Sequence, residues 1–161
     1  MAVSDLPSVT VVRPARTDDI PALVALNEGL SAEDAGTRDP FANPNGFDRY
    51  EYYTELIADG ERNVAWAAEI GGAAVGYLVG RLHDANDYRP VSTGVLESFF
   101  VHPDRRNAGV GSTLVEAFLQ WARDAEAGRV VVTAYAENAG AIRFYRRFGW
   151  RPRDVTFDMA I

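Results

Sequence analysis

Apolar positions along the chain change their period several times, and each change marks an element. Val9–Arg13 is a short β-branched run stopped by Pro14. After Thr17-Asp18-Asp19, which reads as a helix start, Ile20, Leu23, Val24 and Leu26 recur at helical spacing and end near Gly29. Residues 31–46 gather Pro, Gly, Asn and Asp and read as a loop. A second helix is predicted over Phe47–Ala58, with Tyr50, Tyr53, Leu56 and Ile57 on one side. Val64–Ile70 and Ala73–Leu82 flank Gly71-Gly72, a hairpin signal, because two glycines supply the positive φ of a tight turn. A polar loop over 83–93 leads to Val95–Val101, a buried strand closed by Pro103. Leu114, Val115, Phe118, Leu119 and Trp121 then mark a long amphipathic helix. Arg129–Tyr135 is a β-branched strand, and Asn138 caps a helix through Arg147 that Gly149 ends. Thr156–Ile161 is predicted as a last strand. The order βααβββαβαβ, without repeats, predicts one mixed α/β domain over 1–161.

Composition removes whole classes of chemistry. The chain has no Cys, and every one of its 16 basic residues is Arg. Without Cys there is no thiol nucleophile, disulfide framework or thiolate metal site. Without Lys there is no Schiff base and no Gly-Lys-Ser/Thr phosphate loop. Charge is uneven: 7 Arg face 16 acids in residues 1–100, and 9 Arg face 7 acids in 101–161, which adds to the net −7. Most of the acid lies in Glu28–Glu61. That stretch is read either as a solvated surface or as an acidic mouth for a cationic substrate. An acidic chain without clustered cations is not expected to bind nucleic acid. No apolar run is long enough to cross a membrane, and Met1–Pro7 has no basic flank or apolar segment, so a cytoplasmic protein is expected.

The chemistry is concentrated in Leu96–Trp150. A strand runs into Arg106-x-x-Gly109-x-Gly111-Ser112, and a helix follows at once. The first N–H groups of a helix have no intrahelical partners, and glycines let the backbone approach a ligand, so such a turn suits a pyrophosphate. A dinucleotide site would need a third glycine where Leu114 stands, and more than one βαβ unit. His83 and His102 stand apart without other ligands, so no metal site is expected.

The second half reads Asn138-Ala139-Gly140-Ala141-Ile142-Arg143-Phe144-Tyr145, then Arg146-Arg147-Phe148-Gly149-Trp150. With Val101, Pro103, Arg106, Gly109 and Gly111, this resembles the GNAT superfamily of N-acetyltransferases. Asn107 stands where that family usually has Gly, and Asn tolerates positive φ better than most residues. The resemblance implies a mixed, mostly antiparallel sheet that splays between its two central strands and is flanked by helices. It implies acetyl-CoA as co-substrate, held by Arg106, Asn107, Ala108, Gly109, Val110, Gly111 and Ser112 at the pyrophosphate. Phe99, Phe100 and Val101 would run along the pantetheine arm, with Asn138, Ala141 and Tyr145 on its other side. The Val101 N–H would serve as oxyanion donor. Tyr145 matches the family's frequent general acid, and Glu97 matches a base found in polyamine-type members. Strand alternation would put Glu97, Phe99 and Val101 on one face.

The resemblance implies transfer of an acetyl group to a primary amine. The lack of Cys favours direct attack within a ternary complex, and the acidic stretch favours a small cationic amine. Phe41, Phe47, Tyr50, Tyr52 and Tyr53 are candidates for the acceptor pocket. The alternatives are a protein N-terminal acetyltransferase and an acyl-CoA-binding module without chemistry. A homodimer, common in the family, is compatible with either.

Overall fold

The computed structural model of the protein describes residues 9–161, so the opening segment Met1–Pro7 lies outside the described residues. One five-stranded sheet runs in the order β1 (Thr10–Pro14), β2 (Asn63–Ile70), β3 (Ala73–His83), β4 (Thr93–Val101), β5 (Arg129–Val132). The first three pairings are antiparallel and β4 pairs with β5 in parallel. Helices α1 (Ile20–Thr37) and α2 (Arg49–Asp59) cover one face; α3 (Val110–Asp124) and α4 (Ala139–Arg147) flank the other. The sheet therefore divides the core in two. Leu23, Tyr53, Tyr77 and Phe100 pack on the α1/α2 side, and Leu78, Leu96, Leu114 and Phe118 on the α3/α4 side.

Local signals set most of these elements. Gly71 and Gly72 take φ of 60° and 80° between β2 and β3, as the hairpin signal predicts. Asp48 caps α2 by accepting from the Glu51 N–H at 3.0 Å.

Three expectations are corrected. Residues 31–37, read as loop, are the last two turns of α1. Gly29 does not end the helix; it leaves room for Phe100, whose ring would lie 3.1 Å from a Cβ there. The strand after α3 stops at Val132, short of Tyr135. The tail strand over Thr156–Ile161 is absent, and Val155, Phe157, Met159 and Ile161 stand exposed. Alternation confers a preference for extended backbone, but a strand also needs a neighbour's hydrogen bonds, and this tail has no neighbouring strand among the described residues.

Buried tyrosines give the fold a pH limit. Burial holds the Tyr53, Tyr77 and Tyr145 phenols above the ordinary tyrosine range. In the unfolded chain they ionise near pH ~10. The stability they contribute is whole below that pH and is lost as pH rises toward the folded values. The urea midpoint is expected to fall steadily above pH about 10. A midpoint that stays flat from neutral to strongly alkaline pH would show that these rings are not held neutral.

Candidate active site

The strands that part are the last two of the sheet rather than a central pair, because the expected tail strand does not form beyond β5. β4 and β5 pair from Thr93↔Arg129 to Leu96↔Val132 and no further. From Glu97 onward, the edge of β4 away from β3 has no partner strand among the described residues. A bulge lies at the same point: Val79 faces Ser98 and Gly80 faces Leu96, so Glu97 is an extra residue in β4.

The bulge changes which face Glu97 serves. Leu96, Phe99 and Val101 pack on the α3/α4 side, whereas Phe100 packs under α1 and α2. Glu97 turns to that second side. Its Oε1 accepts from the Tyr52 hydroxyl of α2 at 2.9 Å, and Oε2 forms an ion pair with Arg81 of β3. The Arg81 guanidinium also lies 5.6 Å from the centre of the Tyr52 ring. Simple alternation would have kept Glu97 with Phe99 and Val101; the extra residue reverses the parity.

Backbone groups line the parting. The His102 N–H donates to Val75 O at 2.8 Å, on the β3 side. Amides alternate in direction along a strand, so the Val101 and Phe99 N–H groups point away from β3, toward the space β5 has left. The Val101 carbonyl is held by Arg106, whose Nε donates to it at 2.9 Å. Arg106 Nη2 reaches Glu33 Oε1 on α1 at 2.6 Å, and its guanidinium lies 5.2 Å from the Phe100 ring centre. Arg106 is thus a strut that fixes the Val101–His102 peptide, with two of its five N–H donors engaged.

The turn beyond it has the expected backbone. After a 3-10 turn at Pro103–Arg105, Asn107 takes φ of 62° and Gly109 φ of 84°. Gly109 precedes α3 and offers no side-chain cap. The Val110, Gly111 and Ser112 N–H groups head the helix, and Thr113 N–H already bonds Gly109 O at 3.1 Å. Gly111 allows a close approach, since a Cβ there would stand 3.1 Å from Phe99 Cζ and the ring would have to give way. These unpaired amides and the helix dipole fit a phosphate group.

Helix α4 closes the site. The Asn138 side chain accepts from the Ala141 N–H at 3.1 Å, so it is a helix cap. Tyr145 is buried on the sheet side, with ring centres of Phe99, Phe144 and Trp150 at 6.5, 5.5 and 5.7 Å. Among the described residues no group bonds its hydroxyl. Burial alone raises its pKa, so the phenol stays protonated through neutral pH.

Sequence reasoning missed a buried polar chain beside Glu97. Arg49 Nε donates to Asn27 Oδ1 at 2.7 Å, Asn27 Nδ2 donates to Tyr77 Oη at 2.8 Å, and Tyr77 meets Ser98 Oγ at 2.7 Å. A signal was present: Asn27 continues the Ile20 and Leu23 stripe, and Arg49 precedes Tyr53 and Leu56 at helical spacing. Of the pocket candidates, Phe41, Phe47 and Tyr50 are exposed, Tyr53 is core, and Tyr52 alone reaches Glu97. His102 accepts from the Asp104 N–H at 3.4 Å and belongs to the turn. No cluster of potential metal ligands occurs among the described residues.

The sequence profile of the acetyltransferase (GNAT) family matches residues 32–150. The chain belongs to the GNAT family. It is 27% identical over 120 residues to an uncharacterised N-acetyltransferase of Methanocaldococcus jannaschii, across 68% of this chain and 52% of that protein. The chain thus spans about half the length of that relative. It is 32% identical over 122 residues to aminoglycoside N(6′)-acetyltransferase type 1 of Stenotrophomonas maltophilia, across 73% of this chain and 80% of that protein. The solved structure of aminoglycoside N-acetyltransferase AAC(6′)-Iy in complex with CoA shares the fold, with a TM-score of 0.78 at 16% identity over 99% of both chains. The mixed, mostly antiparallel GNAT sheet with flanking helices is the fold that the sequence resemblance implied.

Proposed function

We propose that the protein is an acetyl-CoA-dependent N-acetyltransferase that acetylates a small primary amine by direct attack in a ternary complex. One observation carries this reading. Where β4 leaves β5, Tyr145 and the glycine turn lie on one side of the sheet and Glu97 on the other. Two reactants can therefore meet at the parting from opposite faces.

In this reading the N–H groups of 109–112 take the pyrophosphate, and the free edge of Phe99–Val101 takes the pantetheine arm, with Asn138 and Ala141 behind it. Bound acetyl-CoA supplies the activated acetyl group. The Val101 N–H receives the charge that develops on the carbonyl oxygen, and Arg106 anchors the next peptide through the Val101 carbonyl. Tyr145 gives its proton to the departing sulfur. Glu97 accepts the proton of the amine. Arg81 and Tyr52 use two of the roughly four lone-pair sites of a carboxylate, so sites for the amine remain.

The acceptor arrives as an ammonium ion from the α1/α2 side. Several acids there are already engaged, since Arg38 pairs with Asp34 at 2.6 Å and Arg106 with Glu33. Exposed Glu51 and Glu55 on α2 remain to draw a cation. The names of the Stenotrophomonas relative and of AAC(6′)-Iy, both acting on aminoglycosides, favour a small-molecule amine over a peptide.

The test is CoA release from acetyl-CoA across a panel of amines. Turnover is expected, and Glu97→Gln is expected to lower kcat/KM ~10²-fold or more and to flatten its rise with pH. Tight CoA binding without turnover on any amine would instead support the non-catalytic module. An unchanged pH profile in Glu97→Gln would remove Glu97 as the base.

A further inference from the structure

The α1/α2 face of the sheet is covered at one end only. Tyr77 and Val79 of β3 and Phe100 of β4 are buried beneath the two helices. Further along the same face, His83 of β3, Thr93 and Val95 of β4, and Arg129 and Val131 of β5 line a cavity of about 320 Å³. The register fixes that face. Thr93 pairs with Arg129 and Val95 with Val131, while Val130, Leu96 and Val132 pack on the α3/α4 side. Glu97 lies on the same face as the cavity. Four residue steps along β4 separate it from Thr93, about 10–13 Å at ~3.3 Å per step, with Glu97 itself the bulged residue.

The cavity is cationic in an acidic protein. Arg129 donates through Nε to the buried Thr93 hydroxyl at 3.0 Å, which orients the guanidinium. No carboxylate among the described residues pairs with it. Arg89 enters from the 84–92 loop, where Asn86 Oδ1 accepts from its N–H at 2.9 Å and Asn86 N–H donates back to Arg89 O at 2.8 Å. Its guanidinium also has no carboxylate partner and lies 5.7 Å from the centre of the exposed Tyr88 ring. The single acid in the lining, Asp84, is paired with Arg62 at 2.7 Å. Two uncompensated guanidinium forks, that of Arg129 oriented by Thr93 and that of Arg89 carried on a backbone anchored by Asn86, are the donor set for an oxyanion.

We infer that this cavity is the subsite for an anionic group, a carboxylate or a phosphate, borne by the amine acceptor, with Arg129 and Arg89 as its ligands. The inference rests on the acetyltransferase reading above and narrows its substrate class. The acceptor is an elongated zwitterion, with its ammonium at Glu97 and its anion at Arg129. This departs from the polycationic acceptors named for the aminoglycoside relatives.

Two arms test it on the full chain. In the first, an ω-aminocarboxylate, the ω-aminoalkyl phosphate and the ω-amino amide of the same length compete as acceptors. One anionic member is expected to exceed the amide by ~10–100-fold in kcat/KM, and which one leads separates carboxylate from phosphate. That ratio should collapse in Arg129→Gln and in Arg89→Gln, through KM. Equal use of anionic and amide acceptors by the wild type, or a ratio that survives both variants, overturns the inference. The second arm titrates inorganic phosphate and acetate calorimetrically, without acetyl-CoA. Saturable binding of either that both variants weaken ~10-fold supports the subsite; no saturable binding of either overturns it. If no amine is acetylated, the acetyltransferase reading fails alone, and the second arm still decides the anion site.

Discussion

Replacing Tyr145 by Phe is expected to lower turnover by ~10²–10⁴-fold, the usual worth of a positioned general acid, with little change in stability. The two halves of that expectation have different causes. The ring is packed among Phe99, Phe144 and Trp150, and Phe keeps all of that packing. No group among the described residues bonds the hydroxyl, so its removal orphans nothing. In the proposed mechanism, only the proton source is lost. Because burial raises the phenol's pKa, Tyr145 remains a donor well into alkaline solution, and an activity loss just above neutral pH has another origin. Steady-state CoA release and a urea melt of the same preparation check both halves. Full turnover in Tyr145→Phe would sink the assignment. A large loss of stability with turnover intact would make Tyr145 a core residue and no more.

Phe118→Ala is expected to cost ~3–5 kcal/mol, a large share of the ~5–15 kcal/mol that holds a domain together. Phe118 is fully buried in α3, with its ring edge-on to Trp66 at 6.5 Å and tilted against Trp121 at 5.8 Å. It fills a space that β3 leaves for it. A Cβ on Gly80 would lie 3.0 Å from Phe118 Cδ2, so the ring sits directly on the backbone. Gly80 faces Leu96 at the edge of the bulge that projects Glu97. Loss of the ring therefore frees the residues that set the parity of β4, and the Michaelis constant for the amine should rise along with the drop in the urea midpoint. Phe118→Leu is expected to restore most of both. An alanine variant within ~1 kcal/mol of wild type would show that the ring does not hold this layer.

The features legible in the sequence share a cause. The Gly71-Gly72 turn, the positive φ of Asn107, the Asn138 cap and the amphipathic stripe of α3 each depend on residues within a few positions of one another. Their energetics are complete within one turn or one helix face, so a pattern of neighbours carries them. Gly29 shows where such signals mislead. Glycine there reads as a helix end, yet the vacancy it leaves is filled by Phe100, more than seventy residues away.

The sequence by itself determined the element order from β1 to α4, the glycine turn before α3, the Asn138–Trp150 segment with Tyr145 and, through the absence of Cys, a reading without a thiol nucleophile. Only the tertiary structure decided the face on which Glu97 stands, the use of Arg106 as a strut between Val101 and Glu33, the Arg49–Asn27–Tyr77–Ser98 chain and the Arg129 cavity. The physical reason is register. A strand's side chains alternate by a fixed rule, but one extra residue in β4 reverses the rule, and that residue is defined only against its partner strand. The tail makes the same point from the other direction: Val155, Phe157, Met159 and Ile161 alternate as a strand does, and without a neighbour to bond they form none.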